Sequence, residues 1–90
     1  MDKVIITVVG KDTVGIIAKV CTYLADHKIN ILDISQTIVQ EYFTMMMIVD
    51  GSGANVSFDE MSSGLDEIGA GIGVNIKCQR EEIFTKMHRI

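Results

Sequence analysis

The fold is decided by residues 3–24, KVIITVVGKDTVGIIAKVCTYL, in which two hydrophobic periods follow each other across one short turn. Residues 3–9 are mostly β-branched and stop at Gly10, which predicts a buried strand. Residues 14–27 place apolar side chains at helical spacing, which predicts an amphipathic helix. The stretch therefore begins an alternation of strands and helices.

The rest of the chain continues this alternation, because each apolar segment ends at residues typical of turns. The predicted elements are strands at residues 31–40, 43–49 and 74–79, a helix from the capping box Ser57-Phe58-Asp59-Glu60 to the glycine-rich run 69–73, and a short amphipathic helix over residues 82–90. Asn30 is interpreted as the turn residue after the first helix. In the run Met45-Met46-Met47, strand alternation favours core packing over a metal site.

This order, βαββαβ, predicts an α+β ferredoxin-like sandwich. Right-handed crossovers give an antiparallel four-stranded sheet of order 4-1-3-2 with two helices on one face. A short C-terminal helix follows the last strand. We expect one domain over residues 1–90, with a core at 3–80 and a helical tail at 81–90. The first and third strands are apolar at nearly every position, as central strands should be.

The two central strands carry more apolar side chains than two helices can cover. Ile5, Val9, Met46 and Ile48 are left over for the opposite sheet face. An uncovered patch of that size is unusual on a monomer. Either the tail folds across this face or a second copy of the protein covers it, and we favour a homodimer to which the tail contributes.

Composition excludes several classes of function. Of the 90 residues, 48% are hydrophobic and 22% charged, and the net charge of −4 disfavours nucleic acid and anionic membranes as partners. The two cysteines and two histidines show no recognised metal spacing, and no nucleophile–base pair stands out. We therefore predict no enzyme, no metal and no cofactor. Without a visible signal peptide, we expect a cytoplasmic protein with reduced thiols.

The turn Gly10-Lys11-Asp12-Thr13-Val14-Gly15 is the candidate site, because helix N-termini attract anions. It is not the dinucleotide motif G-x-G-x-x-G, since Asp12 replaces the middle glycine and its carboxylate would repel a pyrophosphate. A zwitterion fits better, with its carboxylate on the amides and its ammonium near Asp12. Alternatively, Asp12 or Thr13 only caps the helix, and Gly15 makes room for a neighbouring side chain.

The segments Gly10-x-Asp12-x-x-Gly15-Ile16 and Asn30-Ile31-Leu32-Asp33-Ile34 resemble those of an ACT domain. The resemblance covers residues 3 to about 80 and is greatest to small stand-alone bacterial ACT proteins, similar to the glycine-cleavage-system repressor group. It implies a dimer that binds an amino acid at the subunit interface and regulates an enzyme or transcription. The implied ligand-binding residues are Lys11, Asp12, Thr13, Val14, Gly15 and Ile16 of one chain with Asn30 and Ile31 of the partner.

Helix length agrees with a shared site. The turn and Asn30 lie at opposite ends of the first helix, roughly 20 Å apart at about 1.5 Å per residue. One small ligand cannot reach both within a monomer, whereas a two-fold pairing brings them together. Since the 90 residues hold no enzymatic or DNA-binding domain, we expect any regulatory output to pass through a separate protein. The alternative is a constitutive protein–protein interaction module without a ligand.

Overall fold

The strands and helices follow one another in the predicted order. The computed structural model of the chain describes residues 1–11 and 14–81. The elements are β1 (Lys3–Lys11), α1 (Ile16–Asp26), β2 (Asn30–Val39), β3 (Tyr42–Asp50), α2 (Phe58–Ile72) and β4 (Val74–Arg80). The predicted helix over residues 82–90 lies outside the described residues.

The four strands form one antiparallel sheet of order β2-β3-β1-β4, which confirms the predicted topology. β1 and β3 occupy the centre because they are the most apolar strands. They bury alternate side chains against the helices, namely Val4, Ile6 and Val8 from β1 and Met45, Met47 and Val49 from β3. Met46, between two buried methionines, points to the other face and is 42% exposed, so the methionine run packs as predicted.

The helices complete the core from one side of the sheet. α1 buries Ile16, Val20 and Leu24, which recur at helical spacing. α2 buries Met61, Leu65 and Gly69. All of these except Gly69 belong to a single apolar cluster that includes the buried residues of β1 and β3. The face of the sheet away from this cluster carries no helix among the described elements.

α2 starts at the predicted capping box and ends within the predicted glycine-rich run, residues 69–73. Its N-cap, Ser57, accepts a hydrogen bond from the Glu60 amide at 3.2 Å, and the Glu60 carboxylate accepts one from the Ser57 amide at 3.1 Å. The helix then continues through Gly69 to Ile72, and Gly73 ends it with φ 78°. The helix tolerates Gly69 because it approaches β4 closely there: a Cβ on Gly69 would lie 2.6 Å from the Val74 carbonyl oxygen.

α1 ends differently from the prediction. The left-handed residue is Lys28, with φ 60°, and not Asn30, which already belongs to β2. The Lys28 amide donates to the Ala25 carbonyl at 3.1 Å and the Ile29 amide donates to Leu24 at 2.9 Å. Because Ile29 is buried directly after the helix, the chain completes its turn before Asn30.

Candidate ligand-binding site

The connection between β1 and α1 places four of the predicted site residues at one end of the sheet. Lys11 ends β1 and pairs with Tyr42 of β3. Val14 is fully exposed, Gly15 is half-buried, and Ile16 is the buried first residue of α1. The predicted ligand contacts of Asp12 and Thr13 lie outside the described residues. The described part of the turn is therefore exposed at Val14 and leads into a helix whose first residue, Ile16, is buried in the core.

The N-cap of α1 is Gly15, which has no side chain to cap the helix. The predicted capping by Asp12 or Thr13 lies outside the described residues. Gly15 contributes only its carbonyl, which accepts the Lys19 amide at 3.0 Å. The amides of Ile16, Ile17 and Ala18 have no acceptor within the helix, because an α-helix leaves its first amides without one. They carry the partial positive charge of the helix end.

Position 15 needs a glycine because of its backbone conformation, and not because neighbouring atoms would clash with a Cβ. Its φ is 91°, a left-handed conformation that L side chains rarely adopt. Apart from its two chain neighbours, no described residue places a heavy atom within 4 Å of the position a Cβ would take. The alternative that Gly15 makes room for a neighbouring side chain is therefore wrong for this part of the chain. Residues 1–11 and 14–81 therefore leave the space beside Gly15 open.

The other two predicted residues, Asn30 and Ile31, lie at the opposite end of the molecule. Asn30 pairs with Asp50, the last residue of β3, whereas Lys11 pairs with Tyr42, the first. Eight residues of strand separate these positions, or about 26 Å at roughly 3.3 Å per residue. One small ligand cannot touch both sets within a single chain.

A charged cleft that sequence reasoning missed lies at the Asn30 end. It has a volume of about 720 Å³, and its described lining is Met1, Asp2, Lys3, Asp50, Ser52, Arg80 and Glu81. Asp50 pairs with Asn30 and accepts a hydrogen bond from the Ser52 amide at 2.9 Å. Hydrogen bonds from Ser52, with Lys3 and the N-terminal ammonium nearby, lower the pKa of Asp50. No single segment of sequence shows this cleft, because three strand ends and a loop meet there.

The described cysteines and histidine are poor candidates for catalysis. Both thiols are free and half-buried, and burial raises the pKa of Cys78 to about 11, so this thiol is protonated at neutral pH. His27 Nδ1 lies 3.0 Å from Asn55 Oδ1, and its ring lies 4.3 Å from that of Tyr23. These contacts tie His27 to the loop before α2.

The described residues form neither a metal-binding cluster nor a membrane-spanning helix. Within 1–11 and 14–81, no group of three His, Cys, Asp or Glu side chains comes close enough to hold a metal ion. In the same part of the chain, no helix is long and apolar enough to cross a membrane.

Comparison with known proteins gives a family match over nearly the whole chain. The model of the ACT domain family matches residues 2–79. A UPF0237 protein of Bifidobacterium longum is 66% identical over 90 residues, which is 100% of both chains. A solved ACT domain protein from Streptococcus pneumoniae has a TM-score of 0.81 at 42% identity and covers 92% of this chain and 93% of its own.

Two larger solved structures contain a similar fold. One is a putative glycine cleavage system transcriptional repressor, with a TM-score of 0.76 at 24% identity, covering 87% of this chain and 44% of its own. The other is the regulatory subunit of aspartate kinase from Thermus thermophilus, with a TM-score of 0.66 at 26% identity, covering 88% of this chain and 51% of its own. The first comparison shows the fold alone.

Proposed function

This chain belongs to the ACT domain family, whose members are regulatory and not catalytic, and on that premise we propose that it works as a homodimer binding an amino-acid-like ligand between its subunits. The observation that carries the proposal is the separation of the two predicted half-sites. Lys11 and Asn30 lie at opposite ends of β3. A two-fold axis is the simplest operation that brings such ends together.

The edge strand β2 is the surface that we assign to the dimer. It is ten residues long and contains neither Lys nor Pro, the residues that commonly protect an edge strand from pairing. Its exposed large apolar side chains are Leu32, Ile34, Ile38 and Val39. An edge of this length and apolarity is well suited to pair with a second copy.

Antiparallel pairing of two β2 strands gives the geometry that a shared site needs. A two-fold axis at the middle of β2 sets the partner's Asn30 opposite Val39. Val39 pairs with Tyr42, which also pairs with Lys11. The partner's Asn30 and Ile31 thereby arrive at the end of the sheet that holds the β1–α1 turn. A bulge between Ile31 and Asp33 marks the same segment, and bulges commonly redirect side chains beside binding sites.

The chemistry of the turn favours a carboxylate ligand. The amides of Ile16, Ile17 and Ala18, which have no acceptor within the helix, supply donors and partial positive charge. The open space beside Gly15 admits the ligand. The ligand's ammonium group is assigned to Asp12 or to a backbone carbonyl of the turn.

Binding across two chains would shift the population of subunit arrangements. A separate regulated protein would bind one of these arrangements in preference to the other. We propose that the ACT domain protein itself is cytoplasmic. Nucleic acid and membrane are left out as partners because of the net charge of −4.

The first test is thermal unfolding of the dimer with each of the twenty amino acids. A ligand at 100 times its Kd stabilises the folded state by about 2.7 kcal/mol, which is a readily measured rise in Tm. Asn30→Ala should abolish the rise. Asn75→Ala, an exposed asparagine on the other edge strand, should keep it. If no amino acid shifts Tm at millimolar concentration, ligand sensing is ruled out.

Mixing two defective variants tests whether the site is shared. Neither Gly15→Val nor Asn30→Ala should bind alone. In a mixed dimer, the site built from the unchanged turn of one chain and the unchanged Asn30 of the other is intact. Statistical mixing should therefore restore about a quarter of the binding sites, measured by calorimetry. No recovery, in a mixture shown to exchange subunits, would contradict a shared site.

A constitutive interaction module is the second candidate. It is favoured by the apolar β2 edge, which can pair without a ligand. Sedimentation that shows a stable dimer, together with no response to any amino acid, would select this alternative. A monomer at micromolar concentration would exclude the ligand site shared between two chains.

A further inference from the structure

The open face of the sheet, the face away from α1 and α2, is covered at one end and bare at the other. Ile5 and Val9 both point to this face from the central strand β1, and each has a strand neighbour on both sides. Ile5 is only 4% exposed, whereas Val9 is 46% exposed. Similar positions in the same strand therefore differ about tenfold in exposure.

The neighbouring strand β3 shows the same gradient. Ile48 pairs with Ile5 and is half-buried, whereas Met46 pairs with Thr7 and is 42% exposed. Both helices pack on the opposite face, so they cannot cause the difference. Something covers the open face at the Ile5 end of the sheet.

The covered end is where the chain leaves the sheet. Ile5 pairs with Gln79, and β4 ends one residue later at Arg80. Glu81 already has a helical backbone. The described chain therefore ends beside the covered side chains, and residues 82–90 follow Glu81 in sequence.

The sequence and length of this last segment fit the face. Ile83, Phe84, Met87 and Ile90 recur at helical spacing and form one apolar stripe. Nine helical residues extend about 14 Å at 1.5 Å per residue. The four strand steps from Ile5 to Val9 span about the same distance.

We propose that residues 82–90 pack as an amphipathic segment across the open face of their own chain, starting over Ile5 and Ile48 and running towards Val9. The occupant of this face is thus the tail and not a second copy. A second copy of the chain would then pair only with the β2 edge. The open face then packs against the tail of its own chain, whereas the β2 edge pairs with another chain.

Paramagnetic relaxation tests the position of the tail. A spin label is attached to Met87→Cys in the full-length chain carrying Cys21→Ala and Cys78→Ala. Amide signals of Ile5 and Thr7 should lose at least half of their intensity. The same label at Ser63→Cys, an exposed position on α2, should leave those signals unchanged. Full intensity at Ile5 and Thr7 with the Met87 label would overturn the proposal.

An isotope-mixing experiment identifies the chain from which the tail comes. Spin-labelled chains at natural isotope abundance are mixed with unlabelled ¹⁵N chains, so that only contacts between chains are seen. We expect no broadening at Ile5 or Thr7 in this mixture. Broadening there would show that the tail covers the partner's face, which contradicts the proposal.

Two substitutions of equally exposed residues separate this proposal from the dimer proposed above. Met46→Glu, on the open face, should speed hydrogen exchange of residues 83–90 at least tenfold and leave the sedimentation coefficient unchanged. Ile34→Glu, 43% exposed on the β2 edge and paired with Met47, should weaken the dimer and leave tail exchange unchanged. If Met46→Glu fails to change tail exchange, the tail does not lie on this face, whatever the outcome for the dimer.

Discussion

The two helices of this domain begin in opposite ways. α2 begins at Ser57 with a complete capping box, in which Ser57 and Glu60 satisfy each other's amides. α1 begins at Gly15, which has no side chain, a left-handed φ of 91° and open space beside it. Both helices follow a strand and pack on the same sheet face, so their place in the fold does not explain the difference.

The contrast is between a helix start stabilised by its own side chains and one that we propose binds a ligand. A capping side chain stabilises a helix by about 1 kcal/mol. At α1 the N-cap residue gives no such stabilisation, and the helix itself supplies no acceptor for its first amides. Departures from local stability rules concentrate at functional sites. The unfavourable start of α1 is therefore the local sign of the ligand site proposed for the β1–α1 turn.

The largest effect is expected for Gly15→Val. A β-branched residue at this positive φ should reduce the free energy of unfolding by about 2 kcal/mol and abolish the response to the ligand. Gly73→Val is the matched control, because Gly73 also has a positive φ and open space. It should lose similar stability in urea unfolding but keep its ligand response. Loss of the response in both variants would show that Gly15 acts only through stability.

Ser57→Ala should have the next largest effect. Removing the cap of α2 should reduce the free energy of unfolding by about 1 kcal/mol, because the Glu60 amide loses its acceptor. The amino-acid-induced rise in Tm should stay the same. Urea unfolding at one fixed protein concentration measures the first quantity and thermal unfolding the second. A changed ligand response would mean that the start of α2 is not purely structural.

Gly15→Asn should have a smaller effect than Gly15→Val. Asparagine adopts the left-handed conformation more readily than other residues with a side chain. The loss in the free energy of unfolding should therefore be less than half of that of the valine variant. Equal losses in urea unfolding would indicate that the added side-chain volume, and not φ, determines the cost.

The smallest effect concerns Asp50, whose carboxylate holds the loop towards α2 through the Ser52 amide. Its pKa is lowered from 3.8 in the folded state. Its contribution to stability is therefore present above pH 3.8 and is lost as the pH falls through the lowered value. Because Asp50 is exposed to solvent, the effect is small. Asp50→Asn should reduce the difference in Tm between pH 6 and pH 2.5, and an unchanged difference would contradict this.

Local rules predicted the elements well where one segment of sequence carries the whole signal. The capping box, the central strands and the alternation of Met45, Met46 and Met47 are such cases. Prediction was wrong where a distant contact decides the outcome. The turn after α1 closes at Lys28 and not at Asn30, because Ile29 enters the core.

The candidate site likewise has features that local sequence predicted and features that it did not. Its residues were named from the turn sequence and from a family resemblance, which the family match now supports. The left-handed φ of Gly15 and the charged cleft beside Asp50 were not predicted. A backbone angle depends on how a turn joins two packed elements, and the cleft depends on segments far apart in sequence.

The turn at Gly10–Gly15 and the order of strands and helices were determined by the sequence itself, because hydrophobic period and turn residues act over a few positions. Only the tertiary structure decided that the N-cap of α1 is a glycine in a left-handed conformation and that Lys11 and Asn30 lie at opposite ends of one sheet. It also decided that the open face is covered beside Ile5 and bare beside Val9. These features depend on strand register and on contacts between distant segments, which no local pattern specifies.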